Sequence, residues 1–319
     1  MLTAPALDVE FPSELDDGDG VQTAVLGRDP TPSDVPEAIE LPPLGAFLGR
    51  CQLRSQIATG PHSAVYLGDL WDLRLPVAVK VLTPRRSADR PVLAAHLRAE
   101  FRALSRLNHA NIARLWDFRE DGDYPHLATE YVDCLTVEQL RLQHGGWLSP
   151  RLAVRIALKA VDGLMAAWRL GLVHRDVKPD NLLFTPAGEV KVIDWGLSAW
   201  AGEELPATPT SEVLRFVGTP AYLPPEMARP GKPFDHRTDV YGLGATLYHA
   251  VTGRLPFDYR RPTQMVLAHL SQAPVPPFDY VQAPGMLRLS EIVLRMLEKN
   301  PANRYDRPEE LREDLARAV

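Results

Sequence analysis

The chain has 319 residues, of which 45% are hydrophobic and 24% charged, and its formal net charge is −6. This composition is typical of a globular protein and excludes a fibrous or wholly disordered chain. The two cysteines, Cys51 and Cys134, are too few for a disulfide framework or a four-thiolate zinc site, so we expect reduced thiols. The first residues lack a signal-peptide pattern, and no window has about 20 uninterrupted apolar residues. We therefore expect a cytoplasmic protein without a membrane span.

Residues 1–46 differ from the rest of the chain in composition. They contain ten Asp or Glu residues, one Arg and seven prolines, so they carry −9 and leave +3 for the remainder. Because this segment has no sustained apolar period, we predict a disordered acidic tail. The weakly positive remainder suits anionic ligands such as phosphates. It contains no basic run, which argues against nucleic-acid binding.

From about Leu48 onward, the sequence has the pattern of β-strands. Residues 52–57 alternate polar and apolar side chains, and the turn TGPHS leads into the runs AVYLGDL and LPVAVKVL. Three such runs joined by turns predict an antiparallel meander. Residues 91–107 have apolar side chains at helical spacing, and strand-like runs follow near 113–118 and 127–131.

Helices dominate from residue 136 onward. The apolar spacing predicts them at 136–143, 150–170, 238–252, 263–271, 288–298 and 308–318, with short strands near 182–184 and 190–193. The chain after the tail, residues 47–319, therefore has a predicted α+β fold of two lobes. The N-lobe, about 47–132, is strand-rich with one long helix, and the larger C-lobe, about 133–319, is mostly helical.

Four motifs carry the chemistry. HRDVKPDN at 174–181 is followed by VIDWG at 192–196, while VAVK at 77–80 lies upstream and GTPAYLPPE at 218–226 lies downstream. The acids, amide and lysine of the first two motifs fall on loops between strand-like runs, where catalytic groups usually lie. The motifs and their order resemble the eukaryotic-type (Hanks-type) serine/threonine protein kinases, and in particular the bacterial branch of that family. The resemblance covers roughly residues 48–317.

This resemblance implies a bilobal protein-kinase fold and transfer of the γ-phosphoryl group of ATP to serine or threonine hydroxyls of protein substrates. Asp176 matches the carboxylate that orients the substrate hydroxyl and accepts its proton. Lys178 matches the lysine that steadies the transferred group, and Thr219 would bridge to both. Asn181 and Asp194 match the ligands of Mg²⁺, for which Mn²⁺ could substitute, because hard cations prefer oxygen donors.

The nucleotide site is likewise implied by the resemblance. Lys80 would hold the α- and β-phosphates, and Glu100 in the helix at 91–107 is the best candidate for its acidic partner. Backbone groups of Glu130 and Val132 would bind the edge of adenine, with Thr129 at the back of the pocket. The full set around the nucleotide is Ile57, Ala58, Gly60, Ser63, Val65, Ala78, Lys80, Glu100, Thr129, Glu130, Val132 and Leu183.

Two departures from the family pattern leave alternatives open. Where the family has a loop G-x-G-x-x-G over the phosphates, this chain keeps Gly60 and has Ala58 and Ser63 instead of the outer glycines. Trp195 replaces the usual phenylalanine after Asp194. A pseudokinase that acts as a scaffold is therefore one alternative. A small-molecule kinase of similar fold is a second, which the GTPAYLPPE segment and the lysine of HRDVKPDN disfavour.

Further roles concern regulation and support. The resemblance implies an activation loop between the two motifs at 192–196 and 218–226, with Thr208, Thr210 and Ser211 as candidate phosphorylation sites and Arg175 as the partner of their phosphate. It also implies an ion pair between Glu226 and Arg304. Asp239 would anchor the catalytic loop from a buried helix, and His174 would serve in packing.

The tail offers a rival site of phosphorylation. Thr23 and Thr31 lie among carboxylates, and a phosphate there would suit a phosphothreonine-reading partner rather than a catalytic switch.

Overall fold

The computed structural model describes residues 41–60, 62–83, 89–203, 219–229, 231 and 233–318. Most of the predicted acidic tail, including Thr23 and Thr31, lies outside these residues, and so does the segment 204–218 with the three candidate phosphorylation sites. Contacts with the N-terminal sheet begin just before the predicted boundary at residue 47. The N–H of Gly45 donates to the carbonyl of Leu53, 2.8 Å away.

The N-lobe is built on one antiparallel sheet. Its strands are β1 (Phe47–Leu48), β2 (Cys51–Thr59), β3 (Ser63–Leu70), β4 (Leu75–Leu82), β5 (Leu115–Arg119) and β6 (His126–Glu130), in the order β1-β2-β3-β4-β6-β5. β3 has buried side chains at every second position, the period of a sheet with one face in the core. The predicted meander corresponds to β2, β3 and β4. Helix α1 (Arg90–Leu104) is the long helix of this lobe.

The C-lobe contains the remaining helices. They are α2 (Val137–Gln143), α3 (Pro150–Trp168), α4 (His236–Thr252), α5 (Pro262–Ser271), α6 (Pro277–Tyr280), α7 (Met286–Met296) and α8 (Pro308–Ala316). Short strands β7 (Leu135–Thr136), β8 (Leu172–Val173), β9 (Leu182–Phe184), β10 (Val190–Val192) and β11 (Ala199–Trp200) form the sheets β10-β9-β7 and β11-β8. None of the helices in the described part of the chain is long and apolar enough to cross a membrane.

Local chemistry explains where several helices begin. Thr136 caps α2 in a capping box with Gln139, because each side chain bonds the backbone N–H of the other residue. Ser149 caps α3, and Pro150 follows at its first position, where a missing N–H costs nothing. Four helices end two or three residues earlier than predicted, because apolar side chains continue into the turns that follow. They are α1, which stops at Leu104, α3 at Trp168, α7 at Met296 and α8 at Ala316.

Two glycines allow helices α3 and α4 to approach neighbouring loops closely. A Cβ on Gly163 of α3 would lie 2.8 Å from the carbonyl oxygen of Asn111, in the loop between α1 and β5. A Cβ on Gly242 of α4 would lie 3.0 Å from the carbonyl oxygen of Val177, next to Asp176. Any larger residue would separate these backbones. The main hydrophobic core extends from α1 through α3 and α4 to α8, so it connects the two lobes.

Candidate active site

One buried carboxylate holds the loop that follows β8. Asp239 of α4 is 1% exposed. It accepts hydrogen bonds from the backbone N–H of His174 at 2.9 Å, from that of Arg175 at 2.7 Å and from the indole N–H of Trp168 at 2.8 Å. Arg175 has a φ of 68°, a left-handed conformation that is uncommon outside glycine. These bonds stabilise the strained turn that presents the next residue, Asp176.

Asp176 lies at the centre of a small polar cluster. The Nζ of Lys178 is 2.7 Å from its Oδ2 and 3.1 Å from Oγ1 of Thr219. The amide nitrogen of Asn181 donates to the carbonyl oxygen of Asp176 at 2.8 Å and to its Oδ2 at 3.0 Å. Lys178 thus connects Asp176 with Thr219, whereas the resemblance implied that Thr219 itself would bridge to both residues. Residues of two distant motifs meet here.

A second cluster links the two lobes. The Nζ of Lys80 on β4 is 2.9 Å from Oε2 of Glu100 on α1 and 2.6 Å from Oδ1 of Asp194. Burial alone would lower the pKa of Lys80, but the two carboxylates raise it above its ordinary value. Burial opposes ionisation of Asp194 too, yet Lys80 lowers the pKa of this carboxyl to about 2. For Glu100, burial raises the pKa. Asp194 also has a left-handed φ of 62°.

Two adjoining cavities surround these clusters and share Ser63, Lys80, Glu100 and Asp194. One, of about 340 Å³, reaches Asp176 and Thr219. The other, of about 380 Å³, lies between the lobes. Its walls include almost every residue predicted for the nucleotide, namely Ile57, Ala58, Ser63, Val65, Ala78, Lys80, Glu100, Thr129, Glu130, Val132 and Leu183.

Gly60 is the exception among the predicted nucleotide residues, since it lines neither cavity. It lies in the tight turn between β2 and β3, where its N–H donates to the carbonyl of Ser63, 2.7 Å away. Ala58 pairs with Val65 in the strand ladder. The replacements of the outer glycines therefore lie in, or at the end of, regular strands.

Only one of the two backbone groups of Glu130 can take the adenine-binding role that the resemblance implied. Its N–H donates to the carbonyl of Arg114 at 2.7 Å, so any contact with a base would use its carbonyl oxygen. Its carboxylate binds Nζ of Lys191 on β10 at 2.8 Å. Sequence reasoning missed this link between the end of β6 and the C-lobe, because a single Lys in a strand has no distinguishing local signal.

The donor atoms fit a hard cation that also binds phosphate. The carboxylate of Asp194 faces the cavity between the lobes. Asn181 turns its amide nitrogen toward Asp176, which leaves the amide oxygen for a cation. No group of three or more His, Cys, Asp or Glu in the described part of the chain could hold a metal ion alone. Two oxygen donors plus substrate phosphates is the way in which Mg²⁺ is commonly bound.

Trp195 lies against the back of the larger cavity and is fully buried. Its ring packs against that of His174, with centroids 4.5 Å apart, and His174 also bonds the carbonyl of Ile193 at 3.0 Å. This matches the packing role predicted for His174. The indole N–H of Trp195 has no hydrogen-bond partner among the described residues. Such a buried, unpaired donor destabilises the fold.

The segment after Thr219 is anchored by a buried ion pair. Both terminal nitrogens of Arg304 bind Glu226, at 2.8 and 2.9 Å, and Arg304 is 1% exposed. The hydroxyl of Thr238 adds a bond to Glu226 at 2.9 Å. The predicted pair is therefore formed, and it joins the GTPAYLPPE segment to the C-terminal part of the chain.

The guanidinium of Arg175 lies over the ring of Phe234, 5.0 Å from its centroid, and donates to the carbonyl of Leu197 at 2.5 Å. Burial lowers the pKa of Arg175, and the carboxylates of Glu203 and Asp239 partly offset this effect. Arg175 therefore lies close to the point where the chain enters the segment 204–218.

Comparison with known proteins agrees with this geometry. The family model for the protein kinase domain matches residues 51–314, most of the chain. The chain therefore belongs to the protein kinase domain family. It shares 35% identity over 272 residues with the serine/threonine-protein kinase PknB of Mycobacterium leprae, covering 84% of this chain and 43% of that protein.

Other relatives give the same result. The serine/threonine-protein kinase PknB of Mycolicibacterium smegmatis is 36% identical over 273 residues, with 84% of this chain and 43% of the relative covered. A probable serine/threonine-protein kinase of Clostridium acetobutylicum is 34% identical over 267 residues, with 84% and 39% covered. The chain thus spans about two fifths of the length of the curated relatives that it matches.

Proposed function

We propose that this chain is a serine/threonine protein kinase, which transfers the γ-phosphoryl group of ATP to serine and threonine hydroxyls of protein substrates. One observation carries the proposal: Lys178 bridges Asp176 to Thr219 beside a cavity that also contains Lys80 and Asp194. The candidate base Asp176, the positive charge of Lys178 for the transferred group and the nucleotide cleft thereby lie within reach of one another. Phosphoryl transfer is catalysed chiefly by such positioning and charge neutralisation.

In the proposed reaction, the substrate hydroxyl attacks the γ-phosphorus. A bond forms between the hydroxyl oxygen and that phosphorus, the bond between phosphorus and the β,γ-bridging oxygen breaks, and ADP leaves. Asp176 orients the hydroxyl and accepts its proton, while Lys178 neutralises charge on the transferred group. Lys80, held by Glu100, binds the α- and β-phosphates. Asn181 and Asp194 would hold Mg²⁺, which supplies charge neutralisation across the phosphates when it is bound.

The test is transfer of radiolabelled phosphate from ATP to myelin basic protein by the purified chain, with Mg²⁺ and with excess EDTA. We expect labelling that needs the metal and is lost in Lys80→Met. The matched control Lys159→Met removes a surface lysine that is 3.3 Å from Glu189 and should label normally. Absence of labelling by the wild-type chain, together with ATP binding, would favour the pseudokinase alternative. That alternative is motivated by Ala58, Ser63 and Trp195.

We further propose that the chain phosphorylates itself within residues 208–211. The position of Arg175 beside the entry to that segment supports this proposal. A partly buried guanidinium is a good partner for a phosphate, because it offers two parallel N–H donors and a full charge.

Two further proposals concern the cellular location of the protein and a binding partner. The reduced state of Cys51 and Cys134, which form no disulfide, and the need for ATP support a cytoplasmic location. A phosphothreonine at Thr23 or Thr31 would recruit a partner that reads it. Pull-down of binding proteins with a phosphorylated and an unphosphorylated peptide of residues 15–40 would test the second proposal, because only the phosphorylated form should retain a partner.

A further inference from the structure

Behind the short turn Pro220–Tyr222 lies a buried histidine that the catalytic site does not use. His269 of α5 is 1% exposed. Its Nδ1 is 2.7 Å from the hydroxyl oxygen of Tyr241 on α4, and its Nε2 is 3.1 Å from the carbonyl oxygen of Ala221. A carbonyl can only accept a hydrogen bond, so Nε2 carries the proton. Nδ1 then accepts the hydroxyl proton of Tyr241, and the tautomer is defined.

The surroundings keep this imidazole neutral. Burial, together with the nearby ammonium of Lys299, lowers the pKa of His269 to about 4. Lys299 lies over the rings of Phe257 and Tyr241, at 4.3 and 5.7 Å from their centroids. At neutral pH, His269 is therefore a fixed donor toward Ala221 and a fixed acceptor toward Tyr241.

The next residue is held in a similar way from another helix. The hydroxyl of Tyr222 is 2.7 Å from Nδ1 of His249 on α4. Two consecutive residues, Ala221 and Tyr222, are thus each bonded to a buried imidazole, one through the backbone and one through the side chain. The turn that contains them is fixed from α4 and α5 rather than by its own short hydrogen bonds alone.

This turn begins at the catalytic cluster. The N–H of Tyr222 donates to the carbonyl of Thr219 at 3.0 Å, and Thr219 accepts from Lys178. We propose that His269 is a positioning residue for the protein substrate: through Ala221 it sets the turn beside which the phosphoacceptor chain must lie. This inference rests on the proposed function. The inference extends the proposed function, because it assigns the control of substrate binding to a residue outside the nucleotide cavities.

The inference predicts that protein-substrate kinetics change while nucleotide kinetics do not. Without the donor, the carbonyl of Ala221 is left unpaired in a buried place, and the turn loses its fixed position. We expect kcat/KM for the protein substrate to fall about tenfold, the effect of one buried hydrogen bond. The KM for ATP and the slow hydrolysis of ATP without protein substrate should stay within about twofold, because His269 lines neither nucleotide cavity.

A matched pair of variants isolates this hydrogen bond. Asparagine at 269 can reproduce Nδ1 toward Tyr241 but does not reach Ala221, whereas glutamine can place its amide N–H near the position of Nε2. With myelin basic protein as substrate, we expect His269→Asn to show the tenfold loss and His269→Gln to stay within about threefold of the wild type. His126→Asn is the control, since His126 is also buried but lies on β6, 2.8 Å from the carbonyl of Tyr124. It should leave both sets of constants unchanged.

Two outcomes would overturn the inference. One is an equal loss in the Asn and Gln variants together with a raised KM for ATP, which would indicate a purely structural role. The other is normal substrate kinetics in His269→Asn. Hydrogen exchange provides a readout that does not need activity: the amides of Tyr222 and Leu223 should exchange faster in His269→Asn than in His269→Gln. If the wild-type chain labels no protein, the proposed function fails, and equal exchange in the two variants would separately refute the role of His269.

Discussion

The ammonium of Lys80 has two carboxylate neighbours with opposite pKa shifts. Asp194 remains ionised well below its usual range, whereas burial raises the pKa of Glu100. Asp194 is the one whose oxygens would be needed by a cation. The arrangement therefore keeps the candidate metal ligand charged and leaves Glu100 to orient the lysine.

Replacing the proposed base should remove most transfer without unfolding the chain. We expect Asp176→Asn to lower kcat by about 10²–10⁴, the range of a general base that acts in the transition state. The amide also cannot accept the proton of the substrate hydroxyl. Initial rates with radiolabelled ATP measure the loss, and thermal unfolding checks the fold. Asp162→Asn, which removes a surface partner of Arg312, is the control. Retention of more than about a tenth of wild-type turnover would show that another group is the base.

Lys299 should make stability depend on pH in the alkaline range. Its pKa is lowered to about 8 by burial, with a contribution from Arg304, whereas an unfolded lysine titrates near 10.5. Between these values the unfolded chain binds the additional proton, so the free energy of unfolding rises with pH from about 8 toward 10.5. A shift of this size corresponds to roughly 3.4 kcal/mol for a fully buried group. Because Lys299 is only partly buried, solvent screening reduces the gain of the wild type relative to Lys299→Met to about 2 kcal/mol across this window. Urea unfolding at a series of pH values measures it, and a parallel dependence in the two proteins would contradict the assignment.

At the scale of elements, the β2–β3 hairpin is the segment that should cover the phosphates of the nucleotide, and it consists of regular strands. Restoring both outer glycines, Ala58→Gly with Ser63→Gly, should lower the KM for ATP, because backbone N–H groups could approach phosphate oxygens more closely. The same change should reduce stability by about 1 kcal/mol or more, since glycine weakens a strand. Steady-state kinetics with varied ATP measures the effect. An unchanged or higher KM would mean that the hairpin is adapted to its present residues.

Substitution of Trp195, which lines the cavity between the lobes, tests the pseudokinase alternative. We expect Trp195→Phe to keep transfer within a few fold of the wild type, because phenylalanine can occupy the same apolar position against His174. The loss of buried area is offset by removal of an indole N–H without a partner, so stability should change by less than about 2 kcal/mol. Kinetics and thermal unfolding of the single variant are sufficient. A large gain in activity would instead indicate that the tryptophan holds the wild-type chain in check.

At the scale of the whole molecule, the proposed catalytic residues come from both lobes and from distant parts of the chain. Lys80 and Glu100 belong to the N-lobe, while the catalytic loop rests on Asp239 of α4. The ion pair between Glu226 and Arg304 joins residues 78 positions apart in the sequence. Relative movement of the lobes would change the contact of Lys80 with Asp194, so we expect activity to depend on lobe closure.

We expect phosphorylation to regulate the activity of the molecule as a whole. After incubation with MgATP, we expect phosphate on Thr208, Thr210 or Ser211, with Thr210 the most favoured. Each phosphate would add about −1.5 to −2 charge for Arg175 to pair with. A variant with all three hydroxyls replaced by alanine should be less active. Intact-mass measurement and peptide mapping locate the phosphate. Phosphate found only before residue 47, with full activity of the triple variant, would contradict the loop switch and leave the tail as the regulated element.

Much of this protein could be predicted from local sequence. Alternating and helical spacing located the strands β2–β4 and the long helices, because a half-buried element repeats its apolar residues with its own period. Short motifs, through their resemblance to a family, predicted Asp176, Asn181 and Asp194 as site residues, because each motif keeps its residues within a short stretch of chain; their roles stay predictions. The two-residue strands β1, β7, β8 and β11 were missed, because no period can be read from two residues.

Tertiary structure alone decided how these parts meet. The partner of Lys80 could be named only as a candidate until α1 packed on the sheet and brought Glu100 to 2.9 Å. The left-handed backbone of Arg175 and Asp194, the link between Glu130 and Lys191, and the bond from His269 to Ala221 have no signature in local sequence. Each depends on contacts between residues far apart in the chain, and those contacts are set by the packing of whole elements.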